Sequence, residues 1–156
     1  MLDIVALLPL AYLAVIAIPL IIVDVREHRL PNKMVLPFIA LSFITTIVVS
    51  LVDGQWISLL ITLGTAVAIL FLGVYLNGLE WLGMGDVKLF VGITLALGYF
   101  SVLYSLAVIA LALVLAYGLT MATAVRRVRA TLRGSITLGP YAIVLTLVGG
   151  AVAVLA

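Results

Sequence analysis

The sequence predicts an all-α polytopic membrane protein of six transmembrane helices, with both termini on the outer side. Three observations predict it. First, 67% of the 156 residues are hydrophobic, mean hydropathy is +1.47, and eight basic and six acidic side chains are too few to coat a soluble globule of this size. Second, residues 4–23, 34–52, 54–79, 89–125 and 134–156 carry no charge. Each run is long enough to cross a hydrocarbon core of about 30 Å. Third, every Lys and Arg falls on alternate connections: Arg26, Arg29 and Lys33, then Lys88, then Arg126, Arg127, Arg129 and Arg133.

The elements follow in order. The first helix covers about 4–23; it lacks a basic n-region and a small-residue cleavage pattern, so it reads as a helix rather than a secretory signal. After the first basic connection comes a helix over 34–52, and after "VDGQ" a third over 56–76. The run 89–125 would reach roughly 55 Å as one helix, too far for a single crossing. It must fold back near Gly98–Ser101, giving a short fourth helix at about 87–100 and a fifth at 102–125. The sixth covers 135–155. Adding or dropping one crossing would scatter the basic residues over both faces. With six, the positive-inside rule puts all of them in the cytoplasm and both termini outside. The connections are too short for a soluble domain, so residues 1–156 read as one membrane-embedded domain without linkers or repeats.

The absence of cysteine excludes disulfides, thiolate metal sites and a thiol nucleophile. A formal charge of +2 gives no reason to expect a nucleic-acid partner. The acids say more. Asp3 and Asp53 lie on the outer side, and Asp24, Glu27, Glu80 and Asp86 on the inner one. Asp24 follows the apolar "IAIPLIIV" at the end of the first helix, and Asp86 lies at the start of the fourth, so parity gives them similar depth. Ionisable groups at the edge of the hydrocarbon are costly and usually face a cavity or a partner. Two close carboxylates share a proton: one acts as base on a water, the other donates to a carbonyl oxygen. That chemistry hydrolyses peptides without metal or cofactor, and none is expected here. Gly83 and Gly85, lacking Cβ, would let a peptide approach closely. Plainer readings stand beside these: Asp24 as a helix end in the headgroup zone, and Asp86 as the N-cap of the fourth helix.

Two motifs carry a resemblance. "DVREHRLPN", Asp24–Asn32, and "GMGDVKL", Gly83–Leu89, resemble the two aspartate motifs of the type IV prepilin peptidases, including archaeal preflagellin peptidases, membrane aspartyl proteases of the G-x-G-D class. "ITLGPY", Ile136–Tyr141, resembles the Gly-Pro segment of their last helix, with Thr137 and Leu138 where many members have Pro and Phe. Presenilin-type relatives share G-x-G-D, but their Tyr before the first Asp and their Pro-Ala-Leu element are missing here. The resemblance covers the whole chain. It implies Asp24 and Asp86 as the catalytic pair and Gly83, Gly85, Gly139 and Pro140 as residues beside the substrate. The implied substrates are prepilin-like membrane proteins, whose basic leader is removed at the cytoplasmic face of the plasma membrane. The cysteine-bearing insert of bifunctional relatives is missing, which implies cleavage without N-methylation.

The other polar residues have structural readings. Lys88 is expected to anchor at the interface or on a lipid phosphate rather than touch the acids. "RRVRATLR" sets topology and meets anionic lipids, and His28 is solvated. Glu80 pairs with Lys88 or an Arg of the first loop. Trp56 and Trp81 belong to the aromatic belt. Pro9, Pro19 and Pro140 introduce kinks, Pro140 shaping a groove. Homo-oligomerisation is left open. Two rival functions use the same acids: a proton- or ion-coupled transporter, for which no inverted repeat is detected, and an inactive peptidase-like assembly subunit.

Overall fold

The computed structural model describes residues 5–27, 30–79, 82–126 and 139–155. Among them the chain forms six helices and no strand: α1 Leu8–Glu27, α2 Asn32–Val52, α3 Trp56–Gly78, α4 Met84–Gly98, α5 Val102–Arg126 and α6 Gly139–Leu155. The ends of α2 and α3 follow the charges and turn residues closely, whereas α1 runs on past Asp24 to Glu27 and α6 starts at Gly139, four residues later than expected. Between α2 and α3, Gly54 takes φ 68°, while Gln55 N–H donates to Ser50 C=O (2.9 Å) and Gly54 N–H to Leu51 C=O (3.4 Å). This is the glycine-terminated Schellman ending, and the left-handed backbone explains the residue type. α2 and α3 are each long and apolar enough to cross a membrane by length and composition.

Polarity runs inside out. Ile57 is 76% exposed, Phe71 71% and Leu103 80%, while Asp24, Thr46, Thr62, Asp86 and Thr94 are buried. Such an exterior is incompatible with water at that scale and suits lipid, so the chain is built as a membrane protein.

α4 is the axis. Only 15 residues long, it packs against α2, α3, α5 and α6 and is buried without interruption from Gly92 to Gly98. It runs antiparallel to α3, with Val87 in the notch of Gly73 and Thr62 against Gly98. It runs parallel to α2, with Phe38 in the notch of Gly92. Small residues let helix backbones approach where lipid supplies no hydrophobic drive. The last four carbonyls of a helix have no partner within it. Here Thr46 of α2 donates to Leu95 C=O (2.7 Å) and Thr62 of α3 to Gly98 C=O (3.1 Å). Thr46→Val and Thr62→Val keep the shape and orphan one carbonyl each. Each is expected to cost about 1 kcal/mol, measurable as a lowered unfolding midpoint in detergent.

The two turns at the far end from Asp24 are also joined, since the Tyr99 hydroxyl donates to Asp53 Oδ2. α6 returns beside α1, with Leu10 against Gly150. This antiparallel pairing brings the start of α6 to the end of the bundle that holds Asp24.

Candidate active site

Asp24 lies in the last turn of α1, which continues to Glu27, and its side chain is 4% exposed. Asp86 lies in the first turn of α4 and is 9% exposed. α4 starts three residues earlier than the charge pattern predicts, because Gly83 supplies an extended N-cap (φ −71°, ψ 141°) and Val87 N–H bonds back to Gly83 C=O (3.2 Å). Asp86 is therefore not the N-cap but the third helical residue. Its carboxylate folds back and accepts the Gly83 backbone N–H, the reach-back half of a capping box. A Cβ on Gly83 would stand 2.9 Å from Asp86 Oδ2, so glycine leaves the carboxylate its place.

The two acids, 62 positions apart in sequence, come from different helices to one end of the bundle. They lie near enough that their charges repel directly. Both are largely withdrawn from water, where charges are screened less than at a surface.

Gly85 has a partner within the chain. A Cβ there would lie 2.7 Å from Leu30 Cβ and 3.2 Å from Leu30 N, so the segment entering α2 rests on the first turn of α4. The close approach expected of a peptide at this glycine is made by the chain itself. Two residues beyond Leu30, Asn32 Oδ1 accepts a hydrogen bond from Lys88 Nζ (2.9 Å). The expected interfacial lysine thus has a protein partner. Asn32 stands in the first motif without a role assigned from sequence. Helix parity, which puts it at the same end as Lys88, was the signal available. On the other side, Asn77 Nδ2 donates to Leu82 C=O (2.8 Å) and closes the α3–α4 connection.

Gly139 and Pro140 open α6, and Pro140 is half-buried. In a first turn the missing proline N–H deprives the helix of nothing, so no kink is needed there. The side chains of Arg26, His28 and Arg29, Glu80 and Trp81, and the segment Arg127–Leu138 lie outside the described residues. So do the roles expected for them, and most of the third motif.

No curated protein and no solved structure gives a significant match to the chain. The family comparison does: the model of the type IV leader peptidase family covers residues 11–126, which include both acids and α2 to α5 entire. By that match, and with both aspartate motifs inside it, the chain belongs to the type IV leader peptidase family.

Proposed function

We propose that the protein is an aspartic-type endopeptidase that removes the basic leader of prepilin-like precursors at the cytoplasmic face of the plasma membrane. The observation that supports the reading is that two buried carboxylates, Asp24 and Asp86, from the two separate motifs lie at one end of the bundle, where their charges repel. One carboxylate, ionised, takes a proton from a water whose oxygen adds to the scissile carbonyl carbon. The other, protonated, gives its proton to the carbonyl oxygen. Collapse of the resulting gem-diol breaks the C–N bond: the proton held by the first carboxylate passes to the leaving amine, and a gem-diol hydroxyl returns a proton to the second carboxylate. In this reading Gly83, Gly85, Gly139 and Pro140 lie beside the leader junction, Gly85 also seating Leu30. Six membrane crossings with all eight basic residues on the inner side supply the orientation, and membrane lipids are its surroundings.

Co-expression with an epitope-tagged prepilin in a host deprived of its own leader peptidase tests this. Conversion of precursor to the shorter mature form is expected. Unprocessed precursor beside properly inserted protein would favour the transporter or the inactive subunit.

A further inference from the structure

The contacts between α2 and α4 begin at the acids. Leu30 is buried with its backbone in the Gly85 notch, one residue before Asp86 and six after Asp24. Lys88, two residues after Asp86, holds Asn32 through its side chain. From there Phe38 sits against Gly92 and Thr46 on the Leu95 carbonyl, so that α2 is fixed along the whole of α4. α1 packs along α2 and α6 and carries Asp24 in its last turn, and the chain passes from there to α2 through the segment that Leu30 and Asn32 pin to α4. The two motifs are therefore interlocked: the second glycine of G-x-G-D and its following lysine bind the tail of the first motif.

We propose that Asn32 and Lys88, with Leu30 seated on Gly85, form a clamp that sets the position of Asp24 relative to Asp86; they are positioning residues and touch no substrate. The clamp rests on the reading of Asp24 and Asp86 as the reacting pair. A loosened pair loses the alignment that catalysis needs while the substrate still binds. Lys88→Met and Asn32→Leu each therefore lower kcat about tenfold with KM nearly unchanged. Because both changes break one contact, the double variant is no worse than either alone. Asn32→Asp, which keeps an acceptor for Lys88, retains kcat. A lysine serving only as a lipid anchor would leave Asn32→Leu silent, and the effects of the two changes would add.

A second readout needs no activity. The chain has no cysteine, so spin labels at Ile22→Cys in α1 and Met84→Cys in α4, both exposed positions, report the distance between the helix ends bearing the acids. In lipid nanodiscs, one narrow distance distribution is expected in the otherwise unchanged chain. A broadened or shifted one is expected with Lys88→Met or Asn32→Leu. Additive kinetics, a silent Asn32→Leu, or distance distributions unaffected by either change overturns the clamp. A wild type that cuts no precursor sinks the peptidase reading instead, and the spin-label distances then decide the clamp alone.

Discussion

Replacing either Asp24 or Asp86 by Asn is expected to slow cleavage of a prepilin-like precursor by about a thousandfold or more. Asn matches Asp in shape but neither takes a proton from water nor donates one as a carboxylic acid does. Both sites are closed, at 4% and 9% exposure, so bulk water does not substitute for the missing group. The amide oxygen that Asp86→Asn leaves in place would still accept the Gly83 N–H that the carboxylate accepts, so the start of α4 survives the change. Because the two carboxylates act as one unit, the double variant should be no slower than either single one. Initial rates with an unchanged melting profile check this. A variant that keeps its activity would remove that residue from the reaction.

Gly92→Leu is expected to be the most damaging change away from the acids. Even a Cβ at residue 92 would stand 2.5 Å from Phe38 Cε1 and 2.7 Å from Cδ1, and the Phe38 side chain is fully buried. A ring enclosed in this way has nowhere to turn, so α2 must move off α4. Overpacking of that kind costs about 1–3 kcal/mol or more. The displacement would also draw Leu30 and Asn32 away from Gly85 and Lys88, and cleavage would fall with stability. Phe38→Leu should partly rescue the milder Gly92→Ala. Gly64→Ala is the contrast: open space surrounds that position, and gain in helix propensity should leave it neutral or stabilised by about 0.5–1 kcal/mol. Thermal unfolding in detergent separates the cases.

What sequence could and could not reveal follows from these residues. The ends of α2, α3 and α5 fall within a few residues of expectation, because charges and a Gly-containing turn bound the apolar runs. The start of α4 lies three residues before expectation. An apolar count begins after Lys88, whereas the helix begins where Gly83 can hold an extended N-cap and Asp86 can reach back to it. Convergence of Asp24 and Asp86 at one end was legible from parity alone, since the two helices between them, α2 and α3, carry the chain away and back. The partner of Gly85 was not. Contact between Leu30 and a glycine 55 positions away depends on the parallel offset of α2 along α4, which Phe38, Thr46 and Asn32 set together. No local pattern encodes that offset. Thr46 and Thr62 read locally as ordinary residues of apolar helices, and only the packed bundle turns them into donors for the end of α4.

Peptidase action by the aspartate pair is tested most directly by the mass of the products from a purified prepilin-like precursor incubated with the protein in lipid. A single cut is expected between the basic leader and the apolar segment, unaffected by a metal chelator and lost in both Asp24→Asn and Asp86→Asn. An intact precursor with wild-type protein, under conditions in which an established leader peptidase cuts it, would rule out peptidase action by this pair. So would a cut that persists when either aspartate is replaced.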